Sequence, residues 1–370
     1  MTRLHQLHAE QDQSPWLDDL KRSYLHDGNL ARLVADGIRG VTSNPTIFAK
    51  AIAGEDTYDD DFAELARQGS VLDAYWKLVM ADVAAACDVL RPVYDETGGR
   101  DGFVSLEVAP DLAHDTEGTV RAATWISETV SKPNLFVKIP ATKAGLPAIR
   151  QMIAKGVSIN VTLIFSLTRY DEVIDAYFSG LEDLIAAGGD PAPVASVASF
   201  FVSRVDTEVD RRLDALDTDD ARALRGRAAV ANAQLAYQLF EERCADERWS
   251  ELASRGANHQ RPLWASTSTK NKAYPDLLYV DSLIGPQTVN TMPEATIEAF
   301  QDHGTVARTI DGDYFGAQHT IDRLAEVGVD FADVGRVLEE EGVATFAKSF
   351  DELIQALTDK ATKLTSGGAA

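Results

Sequence analysis

The chain has 370 residues and carries 35 lysines and arginines against 58 aspartates and glutamates, a formal charge of −23 with histidine neutral. This excess of negative charge repels nucleic-acid phosphates and anionic membrane surfaces, and the sequence has no basic stripe, so we expect neither as a partner. No run approaches the ~20 apolar residues of a membrane span and the N-terminus lacks an apolar signal segment, so we expect a cytoplasmic protein.

Short β-branched runs alternate with longer helical patterns along the chain. The predicted strands lie near residues 15–19, 39–44, 102–108, 134–140, 157–165, 194–203, 262–268 and 277–284. Helical patterns cover 55–97 and 206–250, and from residue 331 onward apolar residues recur at three- and four-residue steps. This order predicts a single (β/α)8 TIM barrel over 1–370 with additional helices, including a helical C-terminus, and a flexible tail at 366–370.

Three of the predicted strands carry polar side chains on one face only. Asn160 and Thr162 alternate with apolar residues on one strand, and Glu107 and Lys138 do so on the two strands before it. A half-exposed antiparallel sheet would explain this for one strand alone. Helices between the strands favour parallel pairing with both faces covered, so we expect the polar row to face the barrel interior.

Lys138 is the most informative member of this row. Burial disfavours an ammonium group, and lowering an amine pKa from about 10.4 to near 7 corresponds to roughly 4–5 kcal/mol. An amine that is neutral near physiological pH is a nucleophile toward carbonyls, the chemistry of Schiff-base enzymes. A buried ion pair between Lys138 and Glu107 is the structural alternative.

Several runs resemble, in order, the signature segments of transaldolases of the longer-chain type. They are GVTSNPTIF (40–48) around the second strand, SLEV (105–108), LFVKIP (135–140) with the Schiff-base lysine, INVTLIFS (159–166), SFFVSR (199–204) and STSTKN (266–271). The resemblance implies one α/β barrel that transfers a dihydroxyacetone unit between sugar phosphates. It also implies that no metal or organic cofactor is used.

The resemblance assigns catalytic roles to four residues. Lys138 matches the nucleophile that forms an imine with the ketose. Asp18 matches the carboxylate that accepts the proton of the hydroxyl whose carbon becomes the departing aldehyde, while Asp19 should face the other way; a helix cap or surface turn is the alternative for this pair. Glu107 matches the carboxylate that works with a water during imine formation and hydrolysis, and Thr162 the hydroxyl that helps to hold this water.

Six more residues match substrate contacts of the family: Asn44 and Asn160 for the sugar hydroxyls and carbonyl, Ser199 near the lysine, and Arg204, Ser268 and Lys270 for the phosphate. Lys270 stands where shorter members carry arginine, and lysine binds phosphate as a point charge without a planar fork. The structural alternatives are turn chemistry for Asn44, core hydrogen bonding for Asn160 and an exposed salt bridge for Arg204.

We therefore expect transfer of dihydroxyacetone from sedoheptulose 7-phosphate to glyceraldehyde 3-phosphate, giving erythrose 4-phosphate and fructose 6-phosphate, in the non-oxidative pentose phosphate pathway. Two alternatives remain: an aldolase on the same scaffold that releases free dihydroxyacetone, and a degenerate barrel that binds a phosphosugar without reacting. The histidines and the two cysteines, Cys87 and Cys244, show no metal-ligand spacing, and no nucleotide-binding glycine motif appears. A monomer or a homodimer is compatible with the sequence.

Overall fold

The computed structural model describes residues 1–366, so the expected flexible tail at 366–370 lies outside the described residues except for Ser366, which ends the last helix. Eight parallel strands close into a barrel in sequence order, with the first strand beside the eighth. The strands are β1 Gln13–Asp18, β2 Gly40–Thr42, β3 Phe103–Glu107, β4 Leu135–Pro140, β5 Ile159–Ile164, β6 Ser196–Phe201, β7 Gln260–Ala265 and β8 Thr288–Met292. The predicted TIM barrel is confirmed.

Helices surround the barrel and cover its carboxyl-terminal face. They are α1 Arg3–Gln11, α2 Arg22–His26, α3 Asn29–Ala35, α4 Pro45–Gly54, α5 Asp59–Gln68, α6 Val71–Glu96, α7 Thr116–Val130, α8 Gly145–Ala154, α9 Leu167–Ala186, α10 Ser203–Leu216, α11 Asp219–Leu224, α12 Ala228–Cys244, α13 Glu247–Ser254, α14 Leu278–Asp281, α15 Glu294–His303, α16 Tyr314–Glu326 and α17 Phe331–Ser366, with short 3-10 helices at Asp56–Tyr58 and Pro110–His114. Within residues 1–366, no helix combines the length and the apolar character needed to cross a bilayer.

The predicted position of the eighth strand is wrong. Residues 277–284 contain the short helix α14, and the strand that closes the barrel is β8, Thr288–Met292. The run LLYVDSLIG is largely buried, and a short apolar run fits a buried helix turn as well as a buried strand. The true strand pairs with β1 on one side and β7 on the other through Val289.

Alternate strand positions fill the barrel interior in layers, as in other TIM barrels. Phe103 and Phe136 stack with ring centroids 4.0 Å apart, and Trp16 stacks on Phe136 at 6.0 Å. Each of these residues precedes a polar interior residue by two or four positions: Trp16 precedes Asp18, Phe103 precedes Glu107 and Phe136 precedes Lys138. The aromatic layer therefore lies beneath the polar side chains and separates them from the amino-terminal end of the barrel.

A buried ion cluster occupies that amino-terminal end. The fully buried carboxylate of Asp101 accepts hydrogen bonds from Ser14 Oγ (2.8 Å), Arg39 Nε (3.0 Å) and Arg261 Nη2 (2.9 Å). Burial alone would raise the pKa of Asp101, but the two arginines outweigh it and hold the pKa below its ordinary value. The cluster therefore pairs the charges that are buried at the amino-terminal end of the barrel.

The last helix, α17, is 36 residues long and crosses the carboxyl-terminal face close to β5. A Cβ atom on Gly335 would lie 2.9 Å from the Cβ of Ser166, and one on Gly342 would lie 3.1 Å from the side chain of Leu163. These two glycines are seven residues apart, two turns of the same helix face. Their lack of a side chain lets the helix approach the end of the strand closely.

Polar contacts fix both halves of α17. Near its start, Arg169 Nε donates to Glu339 Oε2 at 3.1 Å. Near its end, Lys360 Nζ donates to the carbonyl oxygen of Ile52 at 2.7 Å and forms an ion pair with Asp59. The helix is therefore attached to opposite sides of the barrel mouth, next to α9 and next to α4.

Candidate active site

A cavity of about 130 Å³ opens at the carboxyl ends of the strands. Eight of the ten predicted site residues line it, whereas Glu107 and Asn160 lie behind its wall. The lining residues are Asp18, Thr42, Asn44, Lys138, Thr162, Ser199, Phe201, Arg204, Leu263, Ala265, Ser266, Ser268, Lys270, Thr291, Pro293 and Phe346. The carboxyl-terminal face is also where TIM-barrel enzymes carry their active sites.

Lys138 and Glu107 occupy paired positions on β4 and β3. Lys138 Nζ lies 3.2 Å from Glu107 Oε2 and 3.4 Å from the carbonyl oxygen of Ser43, to which it donates. The two residues are only 6% and 3% exposed. Burial raises the pKa of Glu107, and the Lys138 charge opposes that rise. The ion pair that was considered as the structural alternative is therefore present, and its lysine also faces the cavity.

Asp18 ends β1 and reaches the cavity wall, where it is partly accessible. The surrounding protein raises the pKa of its carboxyl group, and the nearby Lys138 charge opposes the rise. Asp19 instead accepts a hydrogen bond from Tyr24 Oη at 3.3 Å, away from the cavity lining. The alternation predicted for the two aspartates is thus seen, and a carboxylate with a raised pKa lies beside the lysine.

Asn160 is paired with Lys138 in the register of β5 and β4, but it is fully buried and does not line the cavity. Its Nδ2 donates to Ser105 Oγ at 3.0 Å, and its Oδ1 accepts a bond from Ser199 Oγ at 2.7 Å. These contacts are those of the core hydrogen-bonding alternative. Asn160 therefore orients Ser199, which does line the cavity.

Thr162 and Asn44 both present polar groups to the cavity. The Oγ1 of Thr162 is buried and has no hydrogen-bond partner among residues 1–366, which is unusual for a buried polar atom. Asn44 caps α4, because its Oδ1 accepts a bond from the backbone N–H of Ile47 at 3.1 Å. The turn chemistry considered for Asn44 is therefore present, and its amide NH₂ group remains available to a ligand.

Two cationic side chains, Arg204 and Lys270, line the same cavity. The Arg204 guanidinium lies over the ring of Phe201, 4.9 Å from its centroid, and has no carboxylate partner within residues 1–366. Burial lowers the pKa of Arg204, and the carboxylates of Glu107 and Asp18 oppose this. Lys270 is exposed at the rim and donates to Ser268 Oγ at 2.6 Å. These cations suit an anionic ligand such as a phosphate.

Helix α10, which carries Arg204, is fastened to the segment after β7. The carboxylate of Asp206 accepts bonds from the Ala229 backbone N–H and from Tyr279 Oη, each at 2.8 Å. One turn on, Asp210 accepts a bond from Tyr274 Oη at 2.6 Å. Burial raises the pKa of Asp206 to about 6, although both of its hydrogen bonds oppose the rise. The two aspartates thus link the helix of Arg204 to the chain that follows Lys270.

Sequence reasoning did not identify several lining residues, above all Phe346 and Ser266. Phe346 belongs to the apolar stripe of α17, a pattern that predicts a buried face but not which surface it meets. Ser266 adopts a left-handed backbone conformation (φ 59°), and its Oγ lies 2.9 Å from Ser203 Oγ. The serine and threonine run STSTKN was a visible signal for Ser266, whereas no local signal marked Phe346.

Metal-binding residues do not cluster in the described part of the chain. In residues 1–366, no group of three or more histidine, cysteine, aspartate or glutamate side chains could hold a metal ion. The polar side chains that line the cavity are two lysines, an arginine, one carboxylate, one amide and several hydroxyls. Together with the closed parallel barrel, they define a TIM-barrel protein with an amine and carboxylates buried at the carboxyl-terminal mouth.

Comparison with known proteins gives the family. The family model described as Transaldolase/Fructose-6-phosphate aldolase matches residues 15–357. Among similar relatives, the Transaldolase of Parafrankia sp. strain EAN1pec is 55% identical over 348 residues, 93% of this chain and 94% of that protein. Transaldolase 1 of Streptomyces avermitilis is 52% identical over 98% of this chain and 96% of its own length, and the Transaldolase of Mycobacterium leprae is 52% identical over 92% of each. The chain belongs to the Transaldolase/Fructose-6-phosphate aldolase family.

Proposed function

We propose that the protein is a transaldolase that moves a dihydroxyacetone unit from sedoheptulose 7-phosphate to glyceraldehyde 3-phosphate through a Schiff base on Lys138. The observation that carries the proposal is the buried Lys138 amine, 3.2 Å from Glu107 Oε2, in a cavity that Asp18 and Arg204 also line. The relatives named Transaldolase support the transfer reaction.

The first stage is imine formation. The Lys138 amine attacks the ketose carbonyl carbon, and the carbinolamine oxygen leaves as water after Glu107 protonates it. In this proposal Glu107 obtains the proton from its ion-pair partner Lys138, which frees the amine to attack; burial raises the pKa of Glu107 and so favours this transfer. The Thr162 hydroxyl, which has no partner within residues 1–366, is placed to hold the water. The product is an iminium ion on Lys138.

The second stage is cleavage of the bond between the third and fourth carbons of the donor. Asp18 accepts the proton of the hydroxyl on the fourth carbon, whose aldehyde departs as erythrose 4-phosphate. The bond electrons move to the iminium nitrogen and leave an enamine. The raised pKa of Asp18 makes this carboxylate a stronger base than an ordinary aspartate.

The last stage reverses these steps with a new aldehyde. The enamine carbon attacks the aldehyde of glyceraldehyde 3-phosphate, and Asp18 returns its proton to the oxygen that becomes the new hydroxyl. Water then attacks the iminium carbon, with Glu107 taking the proton, and fructose 6-phosphate leaves Lys138 as the free amine. Glu107 and Lys138 stand on the neighbouring strands β3 and β4, and Asp18 exchanges its proton with the substrate, so these steps need no rearrangement of the barrel.

The remaining polar groups bind the substrate. Arg204, Lys270 and Ser268 hold the phosphate, while Asn44 and Ser199 contact the hydroxyls of the sugar. We further propose that the protein uses sugar phosphates without a metal or organic cofactor. In this proposal it acts in the non-oxidative pentose phosphate pathway of the cytoplasm, as a monomer or homodimer, without nucleic-acid or membrane partners.

Acceptor dependence distinguishes transfer from simple cleavage. Fructose 6-phosphate is incubated with the protein, with and without erythrose 4-phosphate, and both free dihydroxyacetone and sedoheptulose 7-phosphate are measured. A transaldolase forms sedoheptulose 7-phosphate and needs the acceptor for rapid turnover. If the turnover rate is the same with and without erythrose 4-phosphate and free dihydroxyacetone is released, the protein is an aldolase instead.

Borohydride trapping tests the Schiff base itself. Reduction in the presence of fructose 6-phosphate should add irreversible mass to one lysine, identified by peptide mass spectrometry as Lys138. Lys143 is an exposed lysine five residues further along the chain and outside the cavity, so Lys143→Ala is the matched control and should keep the adduct. An adduct that survives Lys138→Ala, or none in the unmodified protein, would contradict the proposal and favour a non-reacting binding protein.

A further inference from the structure

We propose that Phe346 of α17 is a positioning residue for Arg204, and that it thereby sets the preference of this site for phosphorylated over unphosphorylated sugars. The inference rests on the proposed function and extends it to a residue outside the barrel strands. Phe346 lines the same cavity as Arg204 and Lys138.

The Arg204 guanidinium contacts two aromatic rings. Its central carbon lies 4.9 Å from the ring centroid of Phe201 and 5.6 Å from that of Phe346. Both distances are within the range of a cation–π contact. One ring comes from the end of β6 and the other from α17, so a barrel strand and the helix over the mouth hold the same cation.

No polar group holds Arg204 in place within residues 1–366. No carboxylate lies within 4.0 Å of it, and its guanidinium donates no hydrogen bond to the protein. Arg204 also borders a second cavity of about 400 Å³ between α10 and α17, lined by Thr207, Leu338 and Thr345 among others. Because cavities border the guanidinium and no polar group of the protein holds it, the rings of Phe201 and Phe346 set the plane of the guanidinium.

The plane of an arginine matters for the ligand that it binds. A guanidinium grips a phosphate through two parallel N–H donors, so its affinity depends on how the fork is turned. Without the Phe346 ring, the positive charge of Arg204 should remain in the cavity, but the plane of its guanidinium should no longer be fixed. The binding of substrates without a phosphate should be unaffected by this change.

The backbone of α17 explains how the ring reaches Arg204. Gly342 precedes Phe346 by one helical turn, and a Cβ atom there would lie 3.1 Å from the Leu163 side chain and 3.7 Å from Arg204 Nη1. The close approach at this glycine brings the next turn of the helix to the cavity. Phe350, one further turn along, contacts Tyr75 instead, with ring centroids 5.7 Å apart.

The test compares two aldehyde acceptors that differ only in the phosphate. With sedoheptulose 7-phosphate as donor, the release of erythrose 4-phosphate gives kcat/KM for D-glyceraldehyde 3-phosphate and for D-glyceraldehyde, and the ratio of these two values is the readout. Phe346→Leu keeps an apolar side chain without an aromatic face, and we expect it to lower the ratio about three- to tenfold, mainly through KM for the phosphorylated acceptor. Phe346→Tyr should retain the ratio, and Phe350→Leu on the same helix is the matched control.

The outcomes separate the inference from the proposed function. If Phe346→Leu lowers kcat/KM for both acceptors equally, or if Phe350→Leu lowers the ratio as much, Phe346 has only a structural role and the inference is wrong. If the unmodified protein transfers nothing to either acceptor, the proposed function fails. The inference is then decided by calorimetric titration with D-glyceraldehyde 3-phosphate, whose Kd should rise about three- to tenfold in Phe346→Leu and stay unchanged in Phe350→Leu.

Discussion

Replacing Asp101 by asparagine should cost the protein a large part of its stability while leaving the active site intact. Asp101 is fully buried at the amino-terminal end of the barrel, and the aromatic layer separates it from the cavity. Asparagine has nearly the same shape, so the change removes charge rather than volume. Arg261, which is 5% exposed, then loses the carboxylate that lies 2.9 Å from its Nη2.

Two independent considerations give the same loss in the free energy of unfolding for Asp101→Asn. Removing one partner of a buried ion pair costs about 3–5 kcal/mol, because the other charge stays buried without compensation. Hydrogen bonds to charged groups contribute about 1.5–3 kcal/mol each. Ser14 and Arg39 now donate to Asp101 Oδ2, and in asparagine an NH₂ group, which cannot accept these bonds, takes the place of this oxygen. Losing one or two such bonds again gives a few kcal/mol. We expect Asp101→Asn to lower the free energy of unfolding by about 3–5 kcal/mol.

Urea titration followed by circular dichroism measures this difference, with Asp95→Asn as control. Asp95 pairs with Arg91 on the exposed face of α6, where both side chains are about half exposed, so its loss should leave the unfolding midpoint unchanged.

Folding lowers the pKa of Asp101 below its unfolded value of about 4. The carboxylate therefore stabilises the fold fully above about pH 4, and this stabilisation is lost as the pH falls through the lower pKa of the folded state. The gap between variant and unmodified protein should therefore be constant above about pH 5 and narrow below about pH 4. A gap below about 1 kcal/mol, or one that does not narrow in acid, would mean that the Asp101 carboxylate does not stabilise the fold through its buried arginine contacts.

Three further predictions concern buried charges near the site. Lys138→Ala should abolish turnover yet keep the thermal unfolding midpoint close to the unmodified protein's, because Glu107, whose pKa burial already raises, can take up a proton once its partner is gone, so that no unpaired charge stays buried; a fall of many degrees would indicate a structural lysine. Asp18→Asn should lower kcat for transfer roughly 10²–10⁴-fold but still give a borohydride adduct with dihydroxyacetone, in which no carbon–carbon bond breaks. The reaction needs the base form of Asp18, and burial raises the pKa of this group. As the pH is lowered, kcat of the unmodified protein should therefore begin to fall at a pH above the ordinary aspartate pKa of about 4. If kcat falls only below that pH, Asp18 is not the base. The Asp206 pKa of about 6 means that folding disfavours its charged form, so between pH 4 and pH 7 the difference in unfolding free energy should move by about 2 kcal/mol in favour of Asp206→Asn, and a pH-independent difference would contradict this.

The sequence alone allowed much of the barrel and its polar interior to be predicted. Successive side chains of a strand point to opposite faces, so the alternation in LFVKIP and INVTLIFS was enough to place Lys138 and Thr162 inside. The parallel arrangement followed from the helices between the strands. These features could be predicted because each depends on a local pattern with a fixed geometric meaning.

Other features depend on contacts between distant parts of the chain and could not be predicted. The apolar run before β8 has no alternation, so its burial did not distinguish a strand from a helix turn. The amphipathic stripe of α17 predicts a buried face, but only packing on β5 brings Phe346 to Arg204. The contacts of Asp101 join residues from β1, β7 and the segment before β2, and no spacing rule connects them.

The place of α17 in the chain has a consequence for how the protein is made. Translation completes the lysine-bearing wall of the barrel long before it reaches Phe346, and Lys360, which attaches the helix beside α4, is added later still. In a growing polypeptide, the carboxyl-terminal face of the barrel thus stays uncovered by α17 until the residues of this helix leave the ribosome. In the proposed function, the orientation of Arg204 for a phosphorylated sugar is therefore acquired only after the barrel strands that support it have been made.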